Sequence, residues 1–139
     1  MDLRRPVLVA LAGSLAAALV AGCASVGAVF LPAEDVVLKR AQARWDALVE
    51  RDWNAAYAFM TPGYRAVVPL KRYGNQFTGP AQWESAKATS AKCEETRCVV
   101  SVEISFRLLL PGHMGRVDST HVEEVWVREE GQWYKFEPL

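Results

Sequence analysis

From Cys98 to Leu108 the chain alternates with a period of two. Cys98, Val100, Val102, Ile104, Phe106 and Leu108 fall on one face, and Val99, Ser101, Glu103, Ser105 and Arg107 on the other. An extended backbone sends successive side chains to opposite sides, so this run reads as a strand with one buried face. Half-burial of that kind fits an antiparallel sheet, whose second face stays solvated.

The layer that covers the apolar face lies upstream, where the period changes. Val37, Leu38, Ala41, Trp45, Leu48 and Val49 recur at spacings of three and four, while Lys39, Arg40, Gln42, Arg44, Asp46 and Glu50 occupy much of the other side. The pattern predicts an amphipathic helix that starts between Pro32 and Asp35, ends near Glu50 or Arg51, and packs onto a sheet through a stripe headed by Trp45. Pro32 suits the leading turn, and Glu34 and Asp35 suit the positive helix end. Asp52 is the expected N-cap of a shorter helix with Trp53, Ala56, Tyr57 and Met60 on one face, which Thr61-Pro62-Gly63 terminates. Tyr64 to Leu70 reads as another short helix or an irregular wall. Lys71 to Pro80 reads as a turn-rich connection anchored by Tyr73 and Phe77.

Further strands are expected over Ser85–Lys92, Val117–Arg128 and Trp133–Phe136, with Pro111–Gly115 as a loop and Glu129-Glu130-Gly131 as a turn. The Val117 strand is apolar on both parities: Val117, Val125 and Val127 on one, Val122 and Trp126 on the other. A central place in a curved sheet and a parity-switching bulge both accommodate this. Helices first and antiparallel strands afterwards define an α+β domain.

The chain begins with a different kind of segment. Arg4 and Arg5 precede an apolar or small run from Val7 to Ala21, which closes on Leu19-Val20-Ala21-Gly22-Cys23. A basic start, a hydrophobic stretch and small residues before a cut make a secretory signal. Its closing residues resemble the processing site of bacterial lipoproteins, with Val20, Ala21 and Gly22 in the three preceding positions. The resemblance implies cleavage between Gly22 and Cys23, a diacylglycerol on the Cys23 thiol, and a further acyl chain such as palmitate on the new amine. An uncleaved anchor is the competing reading. Val7 to Ala21 is short against the roughly 20 apolar residues of a span, although extension through Leu31 reaches that length. A cysteine placed directly after the small residues favours processing. The expected division is residues 1–22 as signal peptide, 23–33 as lipidated N-terminus and tether, and 34–139 as the folded domain. Ala24, rather than an aspartate, follows the cysteine. By the enterobacterial sorting rule this implies an outer-membrane location facing the periplasm.

Removing the signal from the 139 residues leaves a length suited to one domain. Sixteen basic and sixteen acidic residues balance, with no basic block, so nucleic acid is not an expected partner. Five tryptophans and four tyrosines supply the material of a real core. With Cys23 assigned to lipid, Cys93 and Cys98 form an even pair flanking the polar connection Glu94-Glu95-Thr96-Arg97. A disulfide across the mouth of a hairpin suits an oxidising compartment. The alternative, a metal site, lacks the closer CxxC spacing of zinc ligands.

From Glu34 onward the chain resembles the NTF2-like, or SnoaL-like, superfamily. The likeness rests on Trp45-Asp46-Ala47-Leu48 followed by Asp52 and Ala55-Ala56-Tyr57, then Thr61-Pro62-Gly63-Tyr64-Arg65. Glu124-Val125-Trp126-Val127-Arg128 with Gly131-Gln132-Trp133-Tyr134 resembles the paired closing strands. It implies N-terminal helices packed on a curved antiparallel sheet, a cone of the NTF2-like or cystatin-like kind, and is similar to small bacterial lipoproteins of this fold. Such cones host isomerases, dehydratases, transport factors and noncatalytic modules, so the fold does not assign chemistry.

Candidate pocket or interface residues are Trp45, Tyr57, His121, Glu123, Trp126 and Trp133. His121 and Glu123 share a strand parity, and a carboxylate beside a histidine is a proton-transfer pair. Resemblance to the superfamily's dehydratases keeps an isomerase- or dehydratase-like reading open on these two, with His113 and Asp118 as further polar candidates. No triad order, phosphate loop or histidine-rich metal motif is present in the sequence. The leading expectation is therefore a noncatalytic envelope lipoprotein without cofactor or metal. It would be held to the membrane by lipid, and bind an envelope protein, a second copy of itself or a small apolar ligand.

Overall fold

The computed structural model describes residues 31–112 and 115–139. The expected signal segment with Gly22, the expected lipidation position Cys23, and His113 lie outside them. Four helices precede four strands: α1 (Ala33–Val49), α2 (Trp53–Tyr57), α3 (Pro62–Val67), α4 (Leu70–Asn75), β1 (Ala81–Cys93), β2 (Arg97–Leu108), β3 (Val117–Glu129) and β4 (Gln132–Lys135). The strands form one antiparallel sheet in the order β1-β2-β3-β4, and the helices pack on its inner face. This is the expected α+β cone.

The alternation in β2 governs the packing. Cys98, Val100, Val102 and Ile104 are buried, and Trp126 and Trp133 join them from β3 and β4. From the helices come Val37, Ala41, Trp45 and Leu48 of α1, with Ala56, Met60, Tyr64 and Tyr73. The β2–β3 register runs without a slip from Arg97↔Val127 to Arg107↔Val117. The two apolar parities of β3 therefore reflect two faces and not a bulge. Val122, Glu124 and Trp126 point inward; Val125 and Val127 lie outside, across from Val99 and Tyr134.

β1 starts earlier than the sequence reading has it, because Trp83 pairs with Phe106 and packs edge-on to Trp45. Register shifts between Trp83 and Ser85 and between Ala88 and Ser90 bend this strand. They keep Ala86, Ala88 and Ala91 against the core. Bulges of this kind increase twist and curl a sheet, and small inward side chains let α1 approach.

Both sheet edges are partly closed, which limits pairing with other chains. On β1, the Gln42 side chain accepts from the Ala88 backbone N–H at 2.9 Å and donates to the Ala86 carbonyl at 3.0 Å. On β4, Lys135 N–H donates to the Phe59 carbonyl at 2.8 Å, and Thr61 N–H donates to the Lys135 carbonyl at 3.3 Å.

Turn chemistry sets the connections. Glu130 and Gly131 both have positive φ, 49° and 80°, as a two-residue hairpin turn of type I′ requires. α1 ends in a Schellman arrangement, with Asp52 N–H bonded to the Ala47 carbonyl at 2.8 Å and Arg51 N–H to the Leu48 carbonyl at 3.1 Å. The left-handed position is filled by Arg51, φ 62°, where glycine is usual. Asp52 then caps α2 through Ala55 N–H, as its position in the sequence predicts.

Lys71 to Pro80 differs from expectation. Its first half is helix α4, despite Gly74 and Asn75. A Cβ on Gly74 would meet Trp53 Cδ1 at 3.1 Å, so the glycine lets α4 lie against the Trp53 ring and is not a turn signal.

Candidate functional site

At the centre of the inner sheet face stands a carboxylate. Register places Glu124 opposite Val100, and it is only 5% exposed. A charge there requires compensation, and three donors supply it. Arg44 Nη1 reaches Oε1 at 2.5 Å, Trp45 Nε1 reaches the same oxygen at 3.0 Å, and Trp126 Nε1 reaches Oε2 at 3.2 Å. Arg44 Nη2 also donates to the Tyr73 hydroxyl at 3.3 Å. Its Nε is buried without a hydrogen-bond partner.

Arg44 is a correction to the helical reading, which set it on the polar side. α1 sits in the curl of the sheet and meets β1, β2 and β4, so its buried arc is wider than a one-sided stripe. Arg44 and Trp45, adjacent on that arc, both reach Glu124.

A cavity of about 420 Å³ adjoins this cluster. Trp45, Met60, Tyr73, Phe77, Trp83 and Val122 form its apolar walls, Arg44, Glu124 and Lys135 its polar side, and Gln76, Glu123 and Glu137 also border it. Three aromatic contacts run edge-on around it: Trp45 on Trp83 at 5.2 Å, Phe77 on Trp83 at 5.4 Å and Tyr73 on Phe77 at 5.0 Å. That geometry favours ring-to-ring attraction beyond simple area burial.

Lys135 enters from β4, paired with Trp126 in the ladder, and its side chain is 12% exposed. It forms an ion pair with Glu137. Burial nevertheless lowers its pKa to about 8, repulsion from Arg44 adds to the shift, and Glu124 opposes it. Burial also raises the Tyr73 hydroxyl, against the pull of Arg44.

The residues singled out from sequence divide. Trp45 and Trp126 converge on Glu124. Tyr57 stands behind the site: its hydroxyl donates to the Val68 carbonyl at 2.6 Å, with the Arg65 carbonyl also within reach at 3.0 Å, and its ring lies 5.3 Å from Tyr73. Trp133 is buried outside the cavity, and its carbonyl accepts from Arg40 Nε at 2.7 Å. His121 is exposed on the outer face, paired with Glu103. Glu123 is exposed and touches the cavity's border, so only one member of that pair is near it. Asp118 pairs with Arg116 at 2.7 Å, away from the site. Cys93 and Cys98 are joined by a disulfide and face each other in the β1–β2 ladder. Among the described residues, no group of three His, Cys, Asp or Glu side chains could hold a metal ion.

Sequence reasoning passed over Arg44, Tyr73, Glu124 and Lys135 as site residues. The signal for Glu124 is its place between Val122 and Trp126 on one parity, a charge where the pattern asks for an apolar residue. Nothing comparable marks Arg44, which sits among other helical charges.

The architecture is thus that of an α+β cone with a charged pair at its centre and a pocket beside it. Among the solved structures similar to this chain in fold are two SEC-C motif containing proteins. One is from Rhodopseudomonas palustris (TM-score 0.53, 18% identity, covering 68% of this chain and 70% of that one). The other is from Psychrobacter arcticus (TM-score 0.52, 16% identity, covering 68% of this chain and 55% of that one). The association domain of C. elegans CaMKII aligns at TM-score 0.44 with 13% identity, over 71% of this chain and 87% of that one. At such identities the likeness concerns the fold alone. No protein-family model matches the chain, and no curated protein matches it.

Proposed function

We propose that the protein is a lipid-anchored, noncatalytic module of the bacterial cell envelope whose cone binds a small, mainly apolar ligand. One observation carries the reading: an aromatic-walled cavity of about 420 Å³ lies directly against a buried charged pair. Ligand sites are concave and largely apolar, with a few fixed polar groups that set orientation, and typically span about 300–1,000 Å³. The polar groups here suit orientation better than reaction. Glu124 already accepts from Arg44, Trp45 and Trp126, which leaves little acceptor capacity for taking a substrate proton. His121, the one described histidine, is exposed on the other face of the sheet.

The anchor rests on Val20-Ala21-Gly22-Cys23 and the signal before it. Among the described residues no helix is long and apolar enough to cross a membrane. A small ligand is favoured over a protein partner because the sheet's edges are occupied at Gln42 and at residues 59–61.

Two experiments test the two halves. Labelling cells with an alkyne-modified palmitate is expected to mark the wild type and not Cys23→Ser; equal labelling of both ends the anchor reading. For the pocket, Val122→Phe fills the cavity and is expected to abolish binding of a two-ring aromatic probe measured by calorimetry. Undiminished binding by a folded Val122→Phe variant would place the site elsewhere.

A further inference from the structure

Charge is unevenly distributed at the depth of the pocket. The Arg44 and Glu124 side chains are each 5% exposed and Lys135 is 12% exposed, so two cations and one carboxylate lie at depth, while the carboxylates of Glu123 and Glu137 stand at the more exposed border. The oxygens of Glu124 are taken by Arg44, Trp45 and Trp126. Lys135 is left with Glu137 as its ion-pair partner among the described residues. Glu137 is a rim residue beyond the end of β4, and its side chain is 43% exposed. A buried ammonium whose counter-ion reaches in from the rim is a position that another carboxylate can occupy. Arg44 borders the same cavity, as do the rings of Trp83 and Phe77, which pack edge-on to each other.

Resting on the ligand-pocket reading above, we propose that the ligand is a small aromatic monocarboxylic acid whose carboxylate displaces Glu137 from the Lys135 ammonium. The ring lies among Trp45, Phe77 and Trp83, and the acid group faces Lys135. Glu137 then acts as an internal competitor that holds the empty site closed by charge. The class follows from the chemistry. A charge-assisted hydrogen bond from a buried ammonium is stronger than a neutral one, and the aromatic walls select a flat apolar body. At the depth of the cavity a ligand cation would meet Lys135 and Arg44 with Glu124 already paired, and a neutral ligand would leave the ammonium on Glu137.

Calorimetry on the full-length protein in detergent at pH 7 tests this with 2-naphthoate, 2-naphthamide and 2-naphthylmethylamine. The acid is expected to bind about tenfold or more tighter than the amide, and the amine not to bind. Glu137→Gln, a half-exposed change that does not threaten folding, is expected to strengthen binding of the acid severalfold and leave the amide unchanged. Lys135→Met is expected to reduce the acid to the affinity of the amide. Equal binding of acid and amide, preference for the amine, or no response to Glu137→Gln overturns the carboxylate assignment while leaving a ligand pocket in place. No binding by any of the three probes overturns both.

Discussion

Glu123 and Glu124 are neighbours of identical chemistry on the two faces of β3, and they have opposite fates. Glu123 stands on the solvated face among Ser101, Glu103 and His121. Glu124 is buried beneath α1 and holds Arg44, Trp45 and Trp126 together. One step of pleat separates an ordinary surface charge from the organising centre of the domain. An exposed charge is solvated whether or not it finds a partner, whereas a buried one must be matched group for group. The same contrast holds for basic residues. Arg107 pairs with Glu84 at 3.0 Å on the half-exposed surface, while Arg44 is enclosed.

The largest effects expected follow from that asymmetry. Glu124→Gln leaves Arg44 buried without its counter-ion and is expected to cost about 3–5 kcal/mol in urea unfolding. Glu123→Gln is expected to stay within about 0.5 kcal/mol. Comparable losses at the two positions would remove the distinction between the faces. Replacing both members of the inner pair, as Arg44→Met with Glu124→Leu, is expected to recover most of the loss, because neither charge is then stranded. Failure to recover would show that the tryptophan and tyrosine bonds, rather than the charge balance, carry the cost.

The disulfide sharpens the comparison at the hairpin end of the same inner face. Cys93→Ala with Cys98→Ala is expected to lower stability by about 2 kcal/mol, the entropy of closing so short a loop. An unchanged denaturation midpoint would contradict this.

Lys135 extends the contrast to pH. Its pKa is lowered in the folded state to about 8 from an ordinary 10.5, so between these values the unfolded chain binds more protons. Stability from this group therefore rises as pH climbs from about 8 to 10.5 and is lowest below 8. Lys135→Met is expected to gain about 1–2 kcal/mol at pH 7 and to flatten that slope. A slope unchanged from wild type would assign the titration to another group.

Gln42→Ala is expected to cost about 1 kcal/mol by freeing two backbone groups at the β1 edge, with increased self-association by light scattering as the second readout. The smallest effect is at the end of α1. Arg51→Gly is expected to stabilise by about 0.5–1 kcal/mol in thermal unfolding, since glycine takes the left-handed position without strain.

Much of this architecture is legible in the sequence. Period two in Cys98–Leu108 gave β2 its inward face, and the spacing of Val37, Ala41, Trp45 and Leu48 gave α1. Asp52 as a cap is local chemistry that needs no distant partner, whereas Thr61-Pro62-Gly63, read as the stop of the second helix, instead opens α3: α2 already ends at Tyr57, and Thr61 caps the next helix through Tyr64 N–H. The sequence hides α4 because Gly74 and Asn75 carry turn preferences, and the reason for the glycine is a tryptophan from another helix. The start of β1 is hidden for a similar reason, since Trp83 belongs to the sheet through Phe106 and Trp45.

The site was half legible. Trp45 and Trp126 could be marked as large aromatics with a polar edge, but their shared target could not. Local sequence determines which residues alternate, which cap and which turn, because those preferences act over a few bonds. The chain alone therefore dictated helices before a sheet and one apolar face for β2. It took tertiary structure to choose the parity of β3, turn Arg44 inward, and bring Lys135 beside a cavity. Those outcomes depend on pairing register and on how far a curled sheet encloses a helix, and both are set by residues distant in the chain.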